Sequence, residues 1–221
     1  MALQRETVVR EALALLDEVG LEGLTVRRLA ARLGVQNPAL YWHFKNKQAL
    51  LDLMAATLLA DARAAHDPAT VGADWAAFLT ALAHGYRRAM LAHRDGARVI
   101  AGADLTKSEV FVGFEQALAI LQEAGFSPID AFIGVTTISD YTLGATFEEQ
   151  ADAATSRVVE GATAEGRPLP PPLDHERFPT LAATFATIFN AENLPDHGVG
   201  FAGGLDLILA GLRAKLTGRQ G

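Results

Sequence analysis

Nowhere in these 221 residues do apolar and polar side chains alternate for long enough to make a strand. They recur instead at spacings of three and four, the period that lays one apolar stripe along a helix. Residues 5–19 set the pattern: Val8, Val9, Ala12, Leu15, Leu16 and Val19 share a face, and Gly20 closes the run. Further helices are expected over about 47–65, 75–92, 107–124, 128–152, 175–191 and 198–217. Ala and Leu, which lose little side-chain freedom in a helix, dominate the composition. The fold class is therefore all-α. Residues 93–96 read as a turn and 96–106 as short and irregular. The stretch 161–175, with Pro168, Pro170, Pro171 and Pro172, reads as a loop; a ligand for a proline-recognition domain is the other reading of it.

Several functions are disfavoured at once. With no cysteine there is no disulfide framework and no thiolate metal site, which suits a reducing cytoplasm. No apolar run approaches the ~20 residues that span a bilayer, and the first residues do not resemble a secretory signal. A cytoplasmic protein without a membrane partner is expected. The six histidines (His43, His66, His84, His93, His175, His197) form no His-x-x-x-His or Glu-x-x-His pair. There is no Gly-rich phosphate loop before a helix and no nucleophile elbow. No catalytic residue, metal or cofactor is expected.

The net charge of −7 speaks against nucleic acid until its distribution is considered. Residues 1–50 hold seven Lys/Arg against five Asp/Glu, a balance of +2, and the remainder twelve against twenty-one, −9. From Gly23 to Leu51 stand five basic residues (Arg27, Arg28, Arg32, Lys45, Lys47) and no acidic one. An acidic body with one basic face orients a chain on phosphates.

That window also has the outline of a helix-turn-helix. Thr25 is a good N-cap for a short helix that buries Leu29, Ala30 and Leu33. Gly34 supplies the turn. A second helix starts near Gln36-Asn37, carries Pro38 in its first turn and runs through Ala39, Leu40, Tyr41, Trp42 and His43 to Phe44. Asn46 caps the next. With Leu29, Ala30, Leu33, Val35 and Leu40 holding the two helices together, Asn37, Pro38, Tyr41, Trp42 and His43 are left exposed. Such a helix enters the major groove, where polar tips meet phosphate and rings meet thymine methyls. Tyr41 and Trp42 as ordinary core residues is the competing reading.

Leu24-Thr25 through Leu50-Leu51-Asp52 resembles the DNA-binding domain of the tetracycline-repressor family, most specifically in Leu40-Tyr41-Trp42-His43 followed by Lys45-Asn46-Lys47. His93-Arg94-Asp95-Gly96-Ala97-Arg98-Val99, Gly125-Phe126-Ser127 and Tyr141-Thr142-Leu143-Gly144 resemble that family's ligand-binding core. The resemblance implies an all-α homodimer with a DNA-binding domain over 1–46, a connecting helix over 47–66 and a ligand-binding and dimerisation domain over 67–221. It also implies double-stranded operator DNA as a partner, with Arg27 on a guanine, Arg28 beside it, Asn37, Pro38 and Ala39 at the bases, and Tyr41, Trp42, His43 and Lys47 anchoring the duplex. Asn37 and Ala39 stand where the tetracycline repressor has glutamine and threonine, so a related but different operator is expected.

The resemblance places Arg63 of the connecting helix, and Leu82, Tyr86, Ile100, Ala103, Asp104, Leu105, Gln116, Phe132, Val135, Asp140 and Glu148 of the second domain, at the inducer. Ile100 replaces the histidine that holds drug-bound magnesium, and an alkyl side chain cannot ligate a hard cation. A small hydrophobic or aromatic inducer is therefore expected in place of tetracycline with magnesium, with a positive charge to meet the carboxylates Asp104, Asp140 and Glu148. Those three are otherwise solvated surface groups. Glycines 198, 200, 203, 204 and 211 in the last helix suit close helix approach. With the 128–150 helix they would form a four-helix dimer interface, or serve packing within one chain. The function expected is an inducible repressor, with regulation of an efflux or resistance gene. A ligand-independent architectural DNA binder and a helical-bundle enzyme are the alternatives; the ~170 residues beyond the motif exceed what dimerisation requires.

Overall fold

Local capping chemistry fixes where the helices of the N-terminal region begin and end. The computed structural model describes residues 3–64, 74–104, 108–156, 174–188 and 197–218, and among them ten helices and no strand. Helix α1 spans Arg5–Gly23, but Gly20 sits at φ 70°, ψ 173°, so the regular helix ends there and a last turn follows at a new angle. Helix α2, Val26–Arg32, opens where the Thr25 hydroxyl accepts the Arg28 N–H at 3.2 Å. Gly34 then takes φ 67°. The Gly34 and Val35 N–H groups return to the Ala31 and Ala30 carbonyls at 3.2 and 3.0 Å, which satisfies two of the orphan acceptors at the helix end.

Helix α3 is Asn37–Leu40, one turn, shorter than the run to Phe44 that the sequence suggests. Beyond Leu40 the chain continues as a turn, with the His43 and Phe44 N–H groups both on the Leu40 carbonyl, and Phe44 drops into the core. Asn46 accepts the Ala49 N–H at 2.8 Å and caps α4, Lys47–Ala64.

The remaining helices are α5 (Trp75–Leu91), α6 (Gly96–Ala101), α7 (Ser108–Glu123), α8 (Pro128–Ser156), α9 (Pro179–Ile188) and α10 (His197–Thr217). The Asp74 carboxylate caps α5 through the Ala76 N–H at 3.0 Å. Ser127 caps α8 by accepting the Asp130 N–H at 3.2 Å. Helix α6 corrects the irregular segment expected over 96–106. Gly96 lets the chain pass so close to the Met90 carbonyl that a Cβ would collide with it, and Ala97, Val99 and Ile100 are then buried together. The expected loop over 161–175 falls almost wholly outside the described residues.

Two apolar cores result. The first joins Val8, Leu13 and Leu16 of α1, Leu29 of α2 and Leu40 of α3 to Leu50, Met54 and Leu58 of α4, and continues into Met90, Ala97, Val99 and Ile100. The second holds Trp75, Phe78 and Leu79 of α5, Ala117 and Leu121 of α7, Val135 and Ile138 of α8, and Phe201, Leu205 and Leu209 of α10. Helix α5 has its start in one core and its end in the other. In α10, a Cβ on Gly204 would strike the Tyr141 ring of α8, so this glycine serves packing within the chain. Gly200, Gly203 and Gly211 face open space.

Candidate DNA interface and ligand cavity

The helix-turn-helix presents its expected residues on one surface. Arg27, Arg28, Asn37, Pro38 and Lys47 are exposed, while Ala39 and His43 are half-buried. Tyr41 is 52 % exposed and Trp42 87 %. A tryptophan so exposed buries little of its apolar surface inside the protein and has that surface to offer a partner. Arg28 donates to the Gly23 carbonyl at 2.9 Å and Lys47 to the Leu21 carbonyl at 3.3 Å, which draws both cations toward the turn after α1.

Arg32 differs from the other basic residues of the window. It donates to Glu11 and Glu18 of α1, each at 2.7 Å, and those hydrogen bonds, Glu11 first, raise its pKa. Its charge is met inside the protein. The acid-free window concealed this because both glutamates lie upstream of it.

A cavity of about 400 Å³ lies among α4, α5, α7 and α8. Of the residues expected at an inducer, Arg63, Leu82, Tyr86, Gln116, Phe132, Val135 and Asp140 line it. Leu59, Phe78, Phe111, Phe114, Thr136 and Ser139 join them, although none was singled out from the sequence. The recurrence of 132, 135, 136, 139 and 140 along α8 is a single helix face, and that period was the signal available. Phe114 and Phe132 meet edge to face, with ring centroids 5.7 Å apart. Burial, and then the charge of Asp140, push the Tyr86 hydroxyl well above its ordinary pKa, so it remains a protonated donor. Thr136 and Ser139 donate back into their own helix, to Phe132 and Val135, each at 2.9 Å.

Four expected residues lie elsewhere. Ile100 is fully buried in the first core, and Ala103 packs against that core. The Asp104 N–H donates to the buried Asp52 carboxylate of α4 at 3.0 Å. Glu148 is exposed and outside the cavity lining. Leu105 lies outside the described residues. A single carboxylate, Asp140, therefore faces the cavity, where three were expected, and the Arg63 guanidinium shares the space.

Polar contacts tie the turn between α5 and α6 to α1 on one side and to α8 on the other. In the turn between α5 and α6, the Arg94 N–H donates to Asp17 at 2.9 Å and the His93 ring meets the same carboxylate at 2.9 Å. Asp95 accepts the Leu21 N–H at 2.8 Å, and Arg98 pairs with Glu22 at 2.7 Å. Gln150 of α8 donates to the Met90 and His93 carbonyls at 3.0 and 2.8 Å and accepts the Ala97 N–H at 3.0 Å. Helix α4 adds a second link, Gln48 donating to the Gly102 carbonyl at 2.7 Å.

Comparison with known proteins places this architecture. Residues 8–54 match the model of bacterial regulatory proteins of the tetR family, and residues 67–216 match the tetracyclin repressor-like C-terminal domain. The chain belongs to the TetR family. It is 43 % identical over 220 residues to the class C tetracycline repressor protein of Escherichia coli, covering 97 % of this chain and 93 % of that one. A solved class A TetR in complex with anhydrotetracycline and magnesium superposes with TM-score 0.70 at 38 % identity, over 96 % of this chain and 99 % of that one. A possible TetR-family regulator from Streptomyces coelicolor gives TM-score 0.76 at 36 % identity, over 96 % and 99 %. This TetR-family chain is thus a transcriptional regulator of the tetracycline-repressor type and not an enzyme. Among the described residues, no helix is long and apolar enough to cross a membrane.

The donor set at this chain's cavity forms no preformed magnesium cage. Among the described residues no three His, Cys, Asp or Glu side chains converge. The lining offers one carboxylate, Asp140, and no imidazole, so the protein would supply at most one side chain to magnesium and leave the rest of the octahedron to ligand and water.

Proposed function

We propose that this regulator is a homodimeric repressor that binds a two-fold operator through α2 and α3 and is released when a small aromatic ligand occupies the cavity. The observation that carries the reading is the cavity itself. Its volume of about 400 Å³ and its mostly apolar lining with a few polar groups suit a small molecule, and α4, which forms one wall, also packs against the DNA-reading helices in the first core. Arg27, Arg28, Asn37, Pro38, Ala39, Tyr41, Trp42, His43 and Lys47 meet the duplex. The partner copy packs on α8 and α10, where Ile129, Ile133, Val199 and Leu207 stand exposed and Gly200, Gly203 and Gly211 leave room for close approach.

The ligand acts by preferring the released state, so a tenfold loss of operator affinity needs ~1.4 kcal/mol of differential binding. Linkage makes the effect reciprocal. The test is a gel-shift screen on the DNA flanking the protein's own gene, followed by ligand titration with and without the operator found. Operator should weaken ligand binding by the factor by which ligand weakens operator binding. Release from DNA by tetracycline only when magnesium is present, at nanomolar concentration, would refute the metal-free reading of the cavity.

A further inference from the structure

The cavity's charged groups identify the class of ligand. Five aromatic rings, from Phe78, Tyr86, Phe111, Phe114 and Phe132, surround it. Into this apolar space comes Arg63 from α4, half-buried. Among the described residues no hydrogen bond or ion pair joins its guanidinium to another side chain, and Asp140, in the same lining, is likewise without an ion pair among them. The two charges are not equivalent in their surroundings: Asp140 is exposed and water solvates it, whereas Arg63 is partly withdrawn from water. Arginine cannot relieve that situation by losing its proton, because its charge persists at any physiological pH. A partly desolvated cation without a partner is unfavourable, and an anion that forms paired hydrogen bonds to the guanidinium removes the penalty.

We infer that the natural effector is a planar aromatic anion, a carboxylate or an ionised phenol or enol, whose rings lie among the phenylalanines and whose charge pairs with Arg63 without a metal ion. The inference rests on the cavity being the effector site, and it reverses the cationic ligand that the sequence suggested. Gln116 and the protonated Tyr86 hydroxyl are neutral donors of the same lining and complete the recognition of an acidic oxygen. Arg63 then sets specificity. It lies near the end of α4, so an anion bound there pulls on the same helix that carries the DNA-reading head.

Two fluorescent probes of one shape separate the charge from the rings: anthracene-2-carboxylate and anthracene-2-carboxamide, titrated into the full-length protein in the presence of EDTA. The carboxylate should bind at least about tenfold more tightly, corresponding to ~1.4 kcal/mol. Arg63→Met, which keeps most of the alkyl stem, should erase that preference and leave the carboxamide where it was. Asp140→Asn should preserve or increase the preference. Equal binding of the two probes to the wild-type protein would overturn the inference while leaving the cavity intact as a ligand site, and this comparison needs no variant to fold. Equal weakening of both probes by Arg63→Met would overturn it as well. Binding of neither probe would remove the cavity reading and the inference with it.

Discussion

Trp42 offers a separation that few substitutions allow, because it lies at the proposed DNA surface and contributes little to the fold. A tryptophan side chain presents about 200 Å², of which the 87 % exposure leaves about 170 Å² in water. Covering half of that area on DNA removes about 85 Å² of mostly apolar surface, about 2 kcal/mol at 25 cal/mol per Å². Trp42→Ala should therefore weaken operator binding about thirtyfold. It should change stability by no more than about 0.5 kcal/mol, the usual range for an exposed position. The lost term is apolar, so the slope of log affinity against log salt should stay at its wild-type value. Fluorescence anisotropy on a labelled operator at several salt concentrations, with a thermal melt of the free protein, reads all three quantities. An unchanged operator affinity, or a melting midpoint lowered by many degrees, would refute the placement of this ring.

Lys47→Ala should weaken specific and random DNA alike and reduce the salt slope by about one, because its charge meets phosphate and not a base; a loss confined to the operator would refute that role. Gly96→Ala should destabilise the protein by about 1–3 kcal/mol in a urea melt, since its Cβ would collide with the Met90 carbonyl. Leu207, 77 % exposed on α10, should hold the dimer, so Leu207→Glu should shift the sedimentation coefficient from dimer to monomer at micromolar concentration. A Leu207→Glu variant that remains dimeric would place the interface elsewhere.

What could be read from the sequence was what neighbouring residues decide among themselves. Thr25, Gly34 and Asn46 act through hydrogen bonds three to five residues away at most, and their turns and caps were visible in the residue types alone. Where partners are distant, the sequence was silent or misleading. Arg32 looks like a phosphate ligand until folding brings Glu11 and Glu18 beside it. Helix α6 looks irregular because its stability comes from burial of Ala97, Val99 and Ile100 against helices far upstream, not from its six residues. The inducer residues divide in the same way. Apart from Glu148, two turns further along α8, those on regular helix faces of α4, α5, α7 and α8 converge on the cavity, whereas Ile100, Ala103 and Asp104, in and just after α6, depend on how that short element docks.

The continuity of the first core has a consequence for exchange of parts between regulators. Family members look like modular objects, with a DNA reader that could be cut at residue 46 and grafted onto another sensor. Here the reader's interior is completed by Met90, Ala97, Val99 and Ile100, and its rim by the turn that binds Asp17 and Leu21. A graft of residues 1–46 alone would set Leu16, Leu29 and Leu40 beside a foreign α4 and α6, and would leave the Asp17 carboxylate and Leu21 N–H without their partners. The packed unit is the reader together with residues 47–60 and 90–104. Natural recombination or engineering that respects those two seams should yield working chimeras, and cuts at the apparent domain boundary should yield proteins that fold poorly or no longer answer to their ligand.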